Sequence, residues 1–336
     1  MIEVLLLLAA ASPGGESAAN LNPTIAPAVI AEAPAPDVAH DSEIGGGTHR
    51  AAAPARPWLS DDADLNAVLS KVTDVYDVPQ VAISPRAKQA RREPLGPHLV
   101  HRDEHFKSQG RDIVIEVLRP DDDHQRPAVL ILHGASGIGD GAFYRGAAET
   151  FADRGFVTFL PHYLPRIDEK RNAAKSGRKA PAAKNESVLA GLPLQDKILH
   201  DAVDYMTKSP YVDGSRIGVF GLSLGAFHAL NLSSTDRRIS AVVDMSGGLR
   251  GNMMPSRLPP TLALHGAHDS LVSVSRARSL AAHLKERGIP HELVVYADQG
   301  HFFRGKAQQD AFERATSFLA TYLHPSETRR AARGAE

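Results

Sequence analysis

The chain has 336 residues, 43% of them apolar, enough to bury a sizeable core in one or two domains. Acids and bases nearly balance at a formal net charge of −1, so no global field draws nucleic acid or an anionic membrane surface. The absence of cysteine excludes a disulfide framework, thiolate metal sites and a cysteine nucleophile.

The opening run Val4-Leu5-Leu6-Leu7-Leu8-Ala9-Ala10-Ala11 is apolar but shorter than the roughly 20 residues that span a bilayer. It is like the apolar region of a secretory signal, with Ala9-Ala10-Ala11 or Ser17-Ala18-Ala19 as small-residue cleavage sites. Glu3 stands where a basic residue is expected, so an ordinary tail is the rival reading and an exported protein (periplasmic or secreted) the favoured one. Residues 12–58 are rich in Ala, Pro, Gly and Ser without a hydrophobic period, so 1–58 reads as a signal-like segment followed by a disordered linker. After Ser60, a candidate N-cap, Leu65, Val68, Leu69, Val72, Val75 and Tyr76 recur at helical spacing, which predicts a helical extension within 59–97.

From His98 the pattern changes to alternating strands and helices, the signature of an α/β protein with a sheet covered on both faces. Strands are predicted over 99–106 and 113–118, turning through Gln109-Gly110, then over 129–132, 156–160, 217–220, 239–243, 261–264 and 292–296. Helices are predicted over 144–154, 194–207, 224–232, 275–287 and 308–323. The wholly apolar Val129-Leu130-Ile131-Leu132 suits a central parallel strand. A basic insertion over about 165–187 carries Arg166, Lys170, Arg171, Lys175, Arg178, Lys179 and Lys184; it reads as a solvated loop, with a substrate-steering lid as the alternative. Residues 325–336 form a charged tail.

The stretch Gly221-Leu222-Ser223-Leu224-Gly225 has the G-x-S-x-G spacing of a nucleophile elbow, a serine on the sharp turn between strand and helix. At about 7% each for Gly and Ser, chance yields the pattern in roughly one chain in ten of this length, so its surroundings decide. Predicted strand 217–220 precedes it and a good helix start follows. A serine hydroxyl needs a base, and the partners should follow in the order acid, then histidine. Asp269 comes just after strand 261–264 and His301 just after strand 292–296, both at the sheet edge where Ser223 sits. Asp269 would orient the imidazole and stabilise its cation. Sixteen histidines make one after a strand unremarkable alone, and rivals exist: Asp244 for the acid and His268 for the base. His265 and His228 read as structural histidines. For the oxyanion, backbone N–H donors are expected from Leu224, at a helix start, and from Ala135 in the loop His133-Gly134-Ala135-Ser136-Gly137. Ser136 is expected to shape that turn rather than to donate.

Taken together, Leu132-His133-Gly134, the run from Val212 through Gly225, Leu264-His265-Gly266-Ala267-His268-Asp269 and Gly300-His301-Phe302 resemble the dienelactone hydrolase-like branch of the α/β-hydrolases. The resemblance spans about 100–323 and implies an eight-stranded, mostly parallel sheet within a catalytic domain at 98–324. It further implies hydrolysis of a small-molecule ester or lactone without metal or cofactor, with Ser223, Asp269 and His301 as the triad and Ala135 and Leu224 as oxyanion donors. No nucleic-acid partner or membrane span is expected. Dienelactone hydrolases proper carry a cysteine nucleophile and a glutamate after the first histidine of the oxyanion loop; here Ser223 and Gly134 stand there, which argues against dienelactone as substrate. The serine form also resembles prolyl-oligopeptidase-type catalytic domains, but those usually follow a large propeller, for which residues 1–97, read as linker and helix, are too few. A non-catalytic binding protein on the same scaffold is the reading from another class.

Overall fold

The structure is a computed structural model and describes residues 98–138, 141–164, 191–250 and 254–324. The apolar start, the linker, the helix expected after Ser60, the basic insertion and the tail lie outside the described residues.

Strands β1 (Leu99–Ser108) and β2 (Arg111–Pro120) form an antiparallel hairpin in which Ser108 faces Arg111. Its turn residues Gln109 and Gly110 both have positive φ, 49° and 71°, the mirror-image turn whose twist matches that of paired strands. The outer strand β1 is studded with His101, Arg102, Asp103, Glu104, His105 and Lys107, which protects the open edge of the sheet from pairing with another chain. Then follow β3 (Arg126–Leu132), α1 (Ala142–Ala152), β4 (Val157–Pro161), α2 (Leu192–Met206), β5 (Val212–Leu222), α3 (Leu224–Thr235), β6 (Ile239–Met245), β7 (Thr261–Gly266), α4 (Ser275–Glu286), β8 (His291–Tyr296) and α5 (Gly305–Leu323). They build one eight-stranded sheet in the order β1-β2-β4-β3-β5-β6-β7-β8. β2 pairs antiparallel with β4, and from β4 to β8 every neighbour is parallel.

Period-two alternation splits the core into two layers. Leu130 and Leu132 face α2, α3 and α4 through Ile198, Leu199, Val203, Phe227, Leu230 and Leu280. Val129 and Ile131 face α1 and α5 through Ala147, Phe151, Phe312, Phe318 and Leu319. From Tyr144 onward the buried residues of α1, Tyr144, Ala147, Ala148, Phe151 and Ala152, recur at three- and four-residue spacing, so one face of the helix meets the sheet. β5 begins at Val212, five residues before the apolar stretch that announces it. Its first residues lack an apolar pattern because Asp213 is turned to local bonds, accepting from the Ser215 N–H and the Arg216 guanidinium.

β4 and β5 flank β3 on opposite sides, so the chain reverses its direction of travel across the sheet at β3. In open α/β sheets the crevice at the carboxyl ends of the strands beside such a reversal is where ligands bind. The backbones are pressed together there. A Cβ on Gly225 would lie 2.1 Å from the Leu132 carbonyl oxygen and 2.7 Å from that of His133, and one on Gly221 would lie 2.3 Å from the Gly225 oxygen. Those obstacles are backbone atoms and cannot swing aside. Gly225→Ala is therefore expected to lower stability by at least about 2 kcal/mol, read as a drop in Tm. An unchanged Tm would contradict this close approach.

Candidate active site

Ser223 is the hinge between β5 and α3, with φ 57° and ψ −119°. Few non-glycine residues adopt such a conformation, which costs on the order of 1–3 kcal/mol and persists only where its surroundings enforce it. The enforcement is visible. The Ser223 N–H donates to the Met245 carbonyl at 2.9 Å, and the Ser223 carbonyl accepts the Ala226 and Phe227 N–H groups at 2.9 and 3.2 Å. The residue is 6% exposed.

The three residues singled out for the triad come together. Ser223 Oγ lies 2.9 Å from His301 Nε2, and His301 Nδ1 lies 2.8 Å from Asp269 Oδ2. Asp269 follows β7 on a tight turn and its side chain is fully buried. Its Oδ1 accepts the Leu271 and Val272 N–H groups at 2.9 and 2.8 Å. Burial pushes this carboxyl up, but hydrogen bonds from His265 and His301 and the Val272 N–H outweigh it and hold the group well below the usual carboxylate range. The carboxylate therefore stays charged. His301 is steadied through its backbone, where its carbonyl accepts from Ser246 Oγ at 2.9 Å, and its ring meets the edge of Phe302. Ser246, itself at φ 54°, could not be found from the sequence, because its bond reaches across 55 residues.

The rivals fall elsewhere. His268 is exposed, and Asp244 is buried with both carboxylate oxygens unpartnered among the described residues. His228 is held between Asp196 and Gln195, each at 2.8 Å, as befits a structural histidine. His265 is buried too, with its Nε2 2.8 Å from the Val272 carbonyl and also 3.2 Å from Asp269 Oδ2. A signal existed in its position four residues before Asp269 at a strand end.

Beside the serine, the loop after β3 is pinned by two phenols. Tyr163 donates its hydroxyl to the His133 carbonyl and stacks on the His133 ring at 4.1 Å between centroids. Tyr144 Oη accepts the Gly134 N–H at 2.8 Å. Burial pushes the Tyr144 phenol up to about 12, against a smaller pull from that N–H, so it stays protonated. The next amide along is that of Ala135. The Ala135 and Leu224 N–H groups make no hydrogen bond among the described residues, though both residues are nearly buried. Two such amides, one at the start of α3 and one in the loop after β3, are suited to an oxygen bearing developing charge. Ser136 is exposed.

Among the described residues one group, His101, Asp103 and Glu116, brings potential metal-ligand atoms within 4.8 Å of one another. Glu116 already accepts two bonds from Arg145, at 2.6 and 2.7 Å, and lies 3.0 Å from His162 Nε2. That guanidinium occupies the carboxylate a cation would need, and the cluster reads as an ion-pair staple from the hairpin to α1.

The sheet order, the helices on both faces and the strand-turn-helix around Ser223 define an α/β-hydrolase. Residues 115–323 match the dienelactone hydrolase family, and the chain belongs to that family. Among solved structures, a dienelactone hydrolase-like promiscuous phosphotriesterase from metagenomic libraries superposes with a TM-score of 0.56 at 19% identity, covering 67% of this chain and 99% of that one. An esterase from Pyrobaculum calidifontis gives 0.53 at 17% identity, covering 77% and 94%. Dipeptidyl-peptidase 5 of Porphyromonas gingivalis is 26% identical over 231 residues, 55% of this chain and 32% of that protein. This chain thus spans about a third of the length of that curated relative. No described helix is long and apolar enough to cross a membrane.

The phenol pin can be tested alone. Tyr144→Phe removes the acceptor of the buried Gly134 N–H and is expected to cost about 1–3 kcal/mol in urea unfolding. Unchanged stability would show that the bond does not hold the loop.

Proposed function

We propose that the protein is a serine hydrolase that cleaves carboxylic esters or lactones through an acyl-enzyme. The observation that carries this reading is the unbroken series Ser223 Oγ, His301 Nε2, His301 Nδ1, Asp269 Oδ2, with links of 2.9 and 2.8 Å. Ser223 attacks the acyl carbonyl and its proton passes to His301 Nε2. The oxyanion that forms is held by the Ala135 and Leu224 N–H groups, and Asp269 stabilises the imidazolium. His301 then gives the proton to the departing alkoxide. Water, deprotonated by the same imidazole, releases the acid and restores Ser223. No step calls for a metal or cofactor. Membership of the dienelactone hydrolase family supports ester or lactone chemistry.

A second reading is a peptidase or amidase using the same residues, favoured by the likeness to a dipeptidyl-peptidase over 231 residues. Turnover of short p-nitrophenyl esters against aminoacyl p-nitroanilides separates the two, with the ester expected to be preferred. Ser223→Ala is expected to reduce ester turnover by at least about 10⁴-fold while preserving the circular dichroism of the fold. Turnover retained in that variant would sink the assignment. Failure of the wild-type protein to hydrolyse any acyl substrate would favour the binding-protein reading.

A further inference from the structure

Two imidazoles share the buried carboxylate of Asp269. His301 Nδ1 reaches Oδ2 at 2.8 Å, and His265 Nε2 lies 3.2 Å from the same oxygen. His265 Nε2 is also 2.8 Å from the Val272 carbonyl. A carbonyl can only accept, so the ring carries its proton on Nε2, bonded to Val272 with Asp269 Oδ2 as a second, longer contact. The opposite nitrogen, Nδ1, is buried without a partner among the described residues.

The register shows what lies behind that ring. Asp244 on β6 faces Ala263 on β7, and His265 is two residues further along β7, on the same side of the sheet. Asp244 and His265 are therefore diagonal neighbours, and both are fully buried. Burial pushes the Asp244 carboxyl up to about 7, opposed by the charge of His265 and the nearby Gly248 N–H. Burial pulls His265 down, but the bonds to Asp269 and Val272 and the Asp244 charge leave it raised. The titratable groups facing the His265 ring are thus Asp244 from β6 and Asp269 from the turn after β7, with His301 beyond Asp269.

We infer that His265 is a positioning residue for the proposed triad, the second donor that holds Asp269 Oδ2 in line with His301 and shares its negative charge. The inference rests on the triad reading above. Asp269 accepts the Leu271 and Val272 N–H groups on Oδ1 and lies 2.8 Å from His301 Nδ1 through Oδ2, and His265 Nε2 adds a contact at 3.2 Å to that same Oδ2. Without it, Oδ2 keeps only the bond from His301 and its charge concentrates there. The imidazolium is then favoured over the free base, and the enzyme needs a higher pH to be active. A residue that merely fills space would change stability or amplitude without moving the pH profile.

The test is kcat/KM for a short p-nitrophenyl ester across about pH 5 to 9, in the wild type, His265→Leu and His265→Gln. The leucine variant is expected to shift the acid limb upward by roughly half to one pH unit, seen as about 3- to 10-fold lower kcat/KM on that limb and recovered at high pH. Glutamine carries an amide N–H near the place of Nε2 and should keep the limb close to wild type. If the leucine variant does not fold, His265→Asn replaces it, being polar but too short to reach Oδ2, with the same upward shift expected. A limb unmoved in the leucine or asparagine variant would overturn the inference. The two readings fail separately: turnover retained in Ser223→Ala removes the triad itself, whereas turnover lost there with an unmoved limb removes only the role of His265.

Discussion

The start of α3 leaves no space for a side chain between itself and the ends of two strands, and the upper edge of the sheet is organised by that approach. Gly225 lies against the Leu132 and His133 carbonyls, Gly221 against the backbone of Gly225, and the turn between them forces Ser223 to φ 57°. Such a turn costs on the order of 1–3 kcal/mol. The layers beneath it outweigh that cost. Phe220, Phe227, Leu130, Ile131 and Leu132 are all essentially fully buried, and each large apolar side chain contributes about 1.5–3 kcal/mol. The same approach that strains Ser223 also brings the loop after β3 beside it, so the proposed nucleophile and the proposed oxyanion donors share one geometric cause.

Each remaining group arrives from a different loop on that edge: Asp269 after β7, His301 after β8, and Ser246, which holds the His301 backbone, after β6. A buried charge is tolerated only when its lone pairs are met, and two aspartates, one on β6 and one on the turn after β7, show the difference. Asp269 has backbone amides on one oxygen and imidazoles on the other, and it stays ionised despite full burial of its side chain. Asp244 has no such set and is pushed toward its neutral form. That contrast supports Asp269 over Asp244 as the proposed acid on physical grounds, independent of chain order.

Much of this was legible in the sequence, and the reasons differ by element. Apolar runs such as Val129-Leu130-Ile131-Leu132 fixed the central strands, and the Ser, Asp, His order at strand ends pointed to the residues that meet in space. The first residues of β5 were not legible, because Asp213 and Arg216 bond to each other and carry no apolar period. Nor were the phenols of Tyr144 and Tyr163 or the Ser246 hydroxyl. Their partners lie 10, 30 and 55 residues away, and no local pattern records a contact at such separations. His265 was read as structural; its place four residues before Asp269 was visible in the sequence, but only the turn after β7 sets the two side chains against each other.

The central claim is that His301 and Asp269 activate Ser223. The most direct measurement is covalent labelling of the intact protein by a fluorophosphonate, with the modified residue located by peptide mass spectrometry and the labelling rate compared with that of His301→Ala. The account predicts one label per chain, on Ser223, formed at least about 10³-fold more slowly without the imidazole. Labelling at another residue, or at Ser223 with equal speed in both proteins, would contradict it.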